Sequence, residues 1–487
     1  MTQGISPLHY AIRPGVVAKH LGQLAFLLGL LSLLPFGASV YFQETGISLR
    51  YALVTGILLL LAGLSRLLPS PRNLQHNEAL AIAALAFLLS PLLMSIPMMA
   101  SGLSWLDALF EAISAITTTG LSMHPTVEDL PRTFLLGRAW MQWYGGLGIV
   151  VLSIALLMGH EVAARRLSES TGADELATSA REHARRTTLV YGILTVLGLA
   201  LLWPVMGDGF HALTHVLAAI STGGFSSMDG SLAGFDGWAT RVSVILVCLL
   251  GAVPFALYFR AVKGSWRASL GDPELHALLL LGLSITLLLT LSLQASHGFG
   301  WSESAGHAVV LGLSAQTTAG FSSMDIDGLD PFSKLMMIVS MAIGGGVGST
   351  AGGFKILRLL ILMRLVQVVV QRAALPPHAV LDPRLGGRRL TDEDLQRALL
   401  LILLFGGVIV LSWLPFVAYG HDPLDALFEV VSATATVGLS AGITSTELPS
   451  ALKGVLMFDM LFGRLEIIAL LVVLYPPSWI GQRRQNA

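Results

Sequence analysis

LDALFEAISAITTTGL at residues 106–121 and LDALFEVVSATATVGL at residues 424–439 decide how this chain is read. Their first six letters are identical, and each copy ends in a Thr-rich strip closed by a glycine, Gly120 and Gly438. Two looser copies lie between them, HALTHVLAAISTGGF at 211–225 and HAVVLGLSAQTTAGF at 307–321. Aligning Gly120, Gly224, Gly320 and Gly438 puts Asp107, His211, His307 and Asp425 thirteen residues upstream of each. One short device is used four times, which marks a repeat architecture.

The repeats sit in an apolar chain. Of 487 residues 54% are hydrophobic and 12% charged, against the ~25% charge usual in soluble domains. Long apolar runs cover residues such as 79–99, 189–206, 277–292 and 398–412. Runs near 20 residues match a hydrocarbon core ~30 Å thick. The first run, near residue 20, lacks a cleavage-site pattern and is expected to remain as a span. Cys248, the single cysteine, supports neither a disulfide framework nor a cysteine metal cluster.

The expected fold is all-α and membrane-integral. Four pseudo-symmetric repeats of span, re-entrant pore helix and span surround one pore, behind an amino-terminal two-helix hairpin, with about ten transmembrane helices. The hairpin spans fall at 20–42 and 50–69. The paired spans fall at 77–99 and 134–158, 187–206 and 238–262, 273–294 and 333–371, and 394–418 and 449–475. Domain boundaries follow as 1–76, 77–160, 161–262, 263–371 and 372–487. The stretches between paired spans are too short to cross, and non-helical backbone at that depth must line a water-filled cavity or be buried in protein.

Connections between repeats carry Arg66, Arg72, Arg165, Arg166, Arg181, Arg185, Arg186, Arg260, Lys263, Arg267, Arg372, Arg384, Arg388, Arg389 and Arg397, and the tail adds Arg483 and Arg484. The positive-inside rule places these, and both termini, in the cytoplasm. The opposite side holds Asp208, Asp229, Asp236, Glu303, Asp325, Asp327, Asp330, Asp422 and Glu447. Such acids either focus cations at a mouth or only solubilise loops.

No strip carries a charge. Glycine permits positive φ and close backbone approach, so four strips at an axis would point carbonyl oxygens inward. Rings of carbonyls replace the hydration shell of an alkali cation, and the helix C-terminal ends add negative dipole. The implied cargo is a hard cation. A second unusual element is GGGVGSTAGG at 344–353. A single helix over 333–371 would be ~58 Å long, and no helix interior favours that composition. The span is expected to break there into a flexible plug. A phosphate-binding loop is excluded because its Gly-Lys-Ser/Thr ending is missing.

Charges inside spans are functional candidates. Lys355 follows the glycine stretch, and Arg464 with Glu466 lies in the final span. Arg464 either lends positive potential to the pore or pairs with Glu466 or another carboxylate for packing alone. Glu111 and Glu429 read as structural partners behind the strips, and His211, His215 and His307 as packing residues without metal-ligand spacing. The run 164–186 reads as a solvated cytoplasmic connection. An enzyme would need a nucleophile–base pair or a metal cluster, and neither is found.

Taken together, the four strips, WMQWYGGLGIVVL at 140–152, GGGVGSTAGGFKILR at 344–358 and FGRLEIIALLVVLYP at 462–476 resemble the Trk/Ktr/HKT superfamily of potassium and sodium transporters, specifically its TrkH/TrkG type. The resemblance implies potassium, K+, as the transported ion. It implies filter carbonyls on Thr118, Thr119, Gly120, Thr222, Gly223, Gly224, Thr318, Ala319, Gly320, Thr436, Val437 and Gly438. Gly120, where sodium-preferring members carry serine, goes with potassium. Residues Gly344, Gly345, Gly346, Gly348, Ser349, Thr350, Gly352, Gly353 and Lys355 match the family's gating loop, and Arg464 its pore arginine. Also implied are a homodimer in the bacterial inner membrane, a TrkA-like cytoplasmic nucleotide-binding subunit, and no nucleotide site or nucleic-acid partner in this chain. The alternative is a proton- or sodium-coupled symporter.

Overall fold

In the computed structural model, residues 11–69, 74–166, 173–374, 376, 381, 383–465 and 467–480 are described, with side chains for all of these except 152–181, 183 and 388. Arg72, Glu466, Arg483 and Arg484 therefore lie outside the described residues. Apart from a two-residue β-hairpin pairing Arg384–Leu385 with Arg388–Arg389, the fold is helical.

The amino-terminal hairpin is α1 (Pro14–Tyr41) and α2 (Thr45–Ser65). The first repeat is α3 (His76–Met98), α4 (Trp105–Ile116) and α5 (Arg132–Arg166). The second is α6 (Ala173–Met206), α7 (Gly209–Ile220) and α8 (Trp238–Ala252), continued by α9 (Phe255–Arg260) and α10 (Trp266–Leu270). The third is α11 (Pro273–His297), α12 (Trp301–Gln316), α13 (Pro331–Ile343) and α14 (Ile356–Ala373). The fourth is α15 (Asp392–Ala418), α16 (Pro423–Thr434), α17 (Ser450–Arg464) and α18 (Ile468–Leu474).

The short helices α4, α7 and α16 have 12 residues each, or ~18 Å of rise, well under the bilayer core. Their starts are set by side chains that take free backbone N–H groups. Ser104 accepts from Asp107 N, Asp208 from Phe210 N and His211 N, and Asp422 from Leu424 N and Asp425 N. Two of the acids expected at the mouth are thus helix caps. Asp330 is a third, capping α13 through Ser333 N.

Each short helix packs on the outer helix of the preceding repeat. Helix α7 lies on α5, α12 on α8, α16 on α13, and α4 on α17, so the four repeats close into a ring. Helix α1 packs on this ring, and Trp140 Nε1 donates to the Leu31 carbonyl at 2.9 Å.

Six described helices are long and apolar enough to cross a membrane, and the α8–α10 segment makes a seventh if counted as one bent span. Helix α5 and the broken pairs α13/α14 and α17/α18 supply the remaining outer helices of the expected ten. Two spans differ from expectation. The second repeat's outer span is not continuous over 238–262: it bends by 84° after Ala252, where Pro254 removes a backbone donor. The final span is not continuous over 449–475. Helix α17 ends at Arg464 and α18 begins at Ile468, with Ile467 at φ +67°.

Candidate functional site

The four strips repeat one backbone conformation. Thr118, Thr222, Thr318 and Thr436 have φ of +54°, +51°, +55° and +53°, and a β-branched residue there is an outlier. Four identical outliers in one register are built by the fold, and such strain gathers at functional sites. After each threonine the chain turns back on its own helix. Thr119 N, Gly223 N, Ala319 N and Val437 N donate to the carbonyls of Ser114, Ala218, Ser314 and Ser432 at 2.8–2.9 Å. Gly120 N and Gly438 N donate to the Ser114 and Ser432 hydroxyls at 3.0 and 3.1 Å.

Ten of the twelve strip N–H groups are therefore spent on the short helices, all but those of Gly224 and Gly320. The acceptors are not. Of the twelve carbonyls of residues 118–120, 222–224, 318–320 and 436–438, only that of Gly223 accepts a hydrogen bond among the described residues, from Gln142 Nε2. Buried carbonyls are almost always paired, and a ring rich in unshared oxygens has the chemistry to replace the water of a cation.

Ring closure is visible at the glycines, with φ of +95°, +77°, +77° and +93° at Gly120, Gly224, Gly320 and Gly438. A Cβ on Gly120 would stand 2.2 Å from the Gly223 oxygen, and one on Gly224 2.3 Å from the Ala319 oxygen. On Gly320 it would stand 2.0 Å from the Val437 oxygen, and on Gly438 2.1 Å from the Thr119 oxygen. Each strip touches the next, and the fourth touches the first. All four glycines line one open cavity of about 240 Å³, shared with Ser122, His124, Arg138, Asp229 and Asp325. Burial holds the His124 imidazole below the usual histidine range.

The walls are braced by buried polar groups. Arg138 Nη1 donates to Glu111 Oε1 at 2.8 Å, and its Nη2 to the Ser226 carbonyl at 3.0 Å. Glu111 also accepts from Ser122 Oγ and Met123 N, while Glu429 accepts from Ser440 Oγ, Ala441 N and Thr444. Both carboxylates hold the segment that follows their strip, the structural part expected of them. His211 and His307 pair through Nδ1 with Ser227 and Ser323, and His215 bonds Ser226. Asp229 accepts from Val127 N and Glu128 N, so it braces a loop as well as lining the cavity. Cys248 is buried.

On the other side of the ring lies residues 344–355, an irregular segment between α13 and α14 as the glycine run predicts. Gly344, Gly348, Gly353 and Lys355 have φ of +71°, +73°, +72° and +77°. The segment is tied to three repeats. Thr350 Oγ1 donates to the Ile220 and Gly251 carbonyls at 3.0 and 2.9 Å. Gly352 N donates to Thr318 Oγ1 at 2.6 Å, and Gly353 N to the Ala435 carbonyl at 3.1 Å. Arg464 Nη1 donates to the Thr350 carbonyl at 2.8 Å, and Lys355 Nζ to that of Ala351. Ser349 Oγ bonds the Gly346 carbonyl. Every residue expected in this element is brought together here, with Arg464 reaching it from α17.

Sequence reasoning missed Gln142, Gln316, Glu274 and Asp459. Gln316 Nε2 donates to the Gly344 carbonyl at 2.6 Å, fixing where α13 ends. Glu274 accepts from Val347 N at 2.8 Å. Asp459 is buried in α17, with Oδ1 taking Ser412 Oγ at 2.6 Å and Oδ2 without a partner. A carboxylate inside a span was the available signal for Asp459; nothing local marks the other three.

A family model described as the cation transport protein TrkH matches residues 71–478. The Trk system potassium uptake protein TrkH of Escherichia coli is 31% identical over 387 residues, covering 77% of this chain and 79% of that protein. The Trk system potassium uptake protein TrkI of Halomonas elongata is 31% identical over 480 residues, covering 95% and 96%. The crystal structure of the potassium transporter TrkH from Vibrio parahaemolyticus superposes with a TM-score of 0.86 at 27% identity, covering 96% of this chain and 100% of that one.

Proposed function

Because this chain belongs to the TrkH family of cation transport proteins, we propose that it takes up potassium through the four-strip ring, with residues 344–355 as the gate. It is a membrane-embedded transporter rather than an enzyme. The observation that carries the filter is the set of buried strip carbonyls to which the described protein offers only one donor. Potassium would shed water at the oxygens of Thr118, Thr119, Gly120, Thr222, Gly223, Gly224, Thr318, Ala319, Gly320, Thr436, Val437 and Gly438. The Gly223 oxygen, already shared with Gln142, would be the weakest of these ligands.

The gate assignment rests on the bonds that anchor residues 344–355 to the strips and to Arg464. In the family pattern the chain would work as a homodimer in the bacterial inner membrane, termini cytoplasmic, under a TrkA-like nucleotide-binding subunit. Rubidium against sodium flux through liposomes holding wild type and Gly120→Ser tests the filter; identical selectivity in both would remove it. Capture of a cytoplasmic partner, followed by flux with and without nucleotide, tests the regulation.

Asp459 favours a second reading. A buried carboxyl with one oxygen unpartnered is what proton-coupled uptake needs. If coupling operates, Asp459→Asn abolishes the dependence of rubidium uptake on a proton gradient; uptake that ignores the gradient in wild type removes this reading.

A further inference from the structure

Three consecutive residues at the centre of the irregular segment are gripped from one side. Gly346 N donates to the Ala252 carbonyl at 3.2 Å, Val347 N to Glu274 Oε2 at 2.8 Å, and Phe255 N to the Gly348 carbonyl at 3.1 Å. Two of these contacts are backbone to backbone. The third is to a side-chain carboxyl, and among the described residues Val347 is the one member of 344–355 whose N–H goes to an acidic side chain.

Glu274 is itself held in place. It lies in the first turn of α11, where a carboxylate is favoured by the helix dipole. Asp272 caps that turn by accepting from Glu274 N at 3.0 Å, and its Oδ2 stands 3.6 Å from Arg260 Nη1 at the end of α9. Fit is close around the contact as well. A Cβ on Gly346 would stand 2.6 Å from Pro254 Cγ and 3.3 Å from Glu274 Oε2. The corner made by α9 and the start of α11 thus presents a fixed acceptor to the middle of the segment.

We propose that Glu274 is the latch of the gate: its carboxylate, by accepting the Val347 N–H, holds residues 344–355 across the pathway at rest. The proposal rests on reading that segment as the gate. Glu274 is a positioning residue that touches no ion. Opening requires the Val347 N–H to leave its acceptor in a low-dielectric setting, where an unpaired donor is costly. The bent connection of α8 and α9 sits on the same contact through Ala252 and Phe255, so movement of the 260–272 corner, on the side assigned to the cytoplasm by its arginines, shifts the latch directly.

The test is rubidium uptake into proteoliposomes holding the full chain as wild type, Glu274→Ala, Glu274→Asp, Glu274→Gln and a deletion of 345–351. Losing the acceptor in Glu274→Ala, or withdrawing it by one methylene in Glu274→Asp, is expected to raise resting flux about ten-fold, the scale of one hydrogen bond. The rubidium-to-sodium ratio stays unchanged, because the strips are untouched. Glu274→Gln keeps an oxygen at the same reach and holds flux within about two-fold of wild type. If the deletion raises flux while Glu274→Ala and Glu274→Asp leave it at rest, the latch is wrong and the gate stands. If the deletion too is silent, gate and latch fall together. A rise accompanied by lost selectivity, or equal leak in Glu274→Gln, would mean a loosened fold and overturns the latch. Glu274→Asp keeps the test alive should the alanine variant not assemble.

Discussion

Lys453 Nζ lies 2.5 Å from Asp107 Oδ1, so the outer helix of the fourth repeat is ion-paired to the pore helix of the first. Lys334 makes the equivalent pair with Asp425 at 2.6 Å, between the third repeat and the fourth. The other two junctions use histidine in place of aspartate, His211 and His307, each bonded to a serine of its own repeat. Among the described residues, two of the four junctions therefore carry an ion pair at this position and two do not. Lys453 also donates to the Thr446 carbonyl, and both members of its pair are buried.

Removing one partner of a buried pair leaves an uncompensated charge, which costs roughly 3–5 kcal/mol. Lys453→Met is expected to lower the thermal unfolding midpoint in detergent markedly. Lys453→Met with Asp107→Leu should recover most of that loss, since two apolar side chains need no partner. A double variant no more stable than Lys453→Met would show that the pair acts through something other than its charge.

Gly320 is the tightest of the four ring contacts, with a Cβ 2.0 Å from the Val437 oxygen. Gly320→Ala must push the neighbouring strip aside while also holding a left-handed φ. The chain should still insert and assemble, because the braces at Glu111, Arg138 and Glu429 lie behind the strips. Selectivity for rubidium over sodium should drop about ten-fold, equivalent to ~1.4 kcal/mol of discrimination. Competitive flux in liposomes measures it, and an unaltered ratio would separate the glycines from selectivity.

The fourfold plan was legible because LDALFE and the Thr-Gly strips repeat in sequence, and the broken third outer helix because GGGVGSTAGG suits no helix. The bends at Pro254 and Ile467 were not. VPF at 253–255 sits in an apolar run that reads as continuous, and Ile467 takes a left-handed backbone that a β-branched residue does not favour. The left-handed threonines escaped for the same reason: local propensity opposes them, and only the closed ring over-determines them. Gln142 and Glu274 are each set by partners 81 and 73 residues away, a distance no local pattern encodes. The capping role of three acids near the mouth was not read from the sequence: Asp208, Asp330 and Asp422 each start a helix.

Arg464 reaches the Thr350 carbonyl at 2.8 Å, one residue past Gly463, where a Cβ would stand 1.7 Å from the Thr434 oxygen. The tight fit at Gly463 fixes α17 against the end of α16 and so aims the guanidinium at the segment. Arg464→Ala is expected to raise resting rubidium flux several-fold, as loss of one charge-assisted bond would. Arg464→Lys, which cannot reproduce the planar fork, should fall between the two. Resting flux equal to wild type in Arg464→Ala would assign the arginine to packing alone.

The four left-handed threonines are equivalent in backbone but not in what their hydroxyls meet. Thr318 Oγ1 accepts Gly352 N, while the hydroxyls of Thr118 and Thr436 are buried without a hydrogen-bond partner. Replacing each in turn by valine keeps the branched shape and removes only the oxygen. Thr318→Val takes away an acceptor from the proposed gate, so it should raise resting flux a few-fold with selectivity intact, on the scale of a neutral hydrogen bond. Thr118→Val and Thr436→Val touch no part of residues 344–355 through a hydroxyl bond. They should leave resting flux alone and weaken ion occupancy, read as a higher rubidium concentration for half-maximal uptake. The same response from all three would mean that the hydroxyls serve the ring alone and that the Thr318–Gly352 bond does not couple filter to gate.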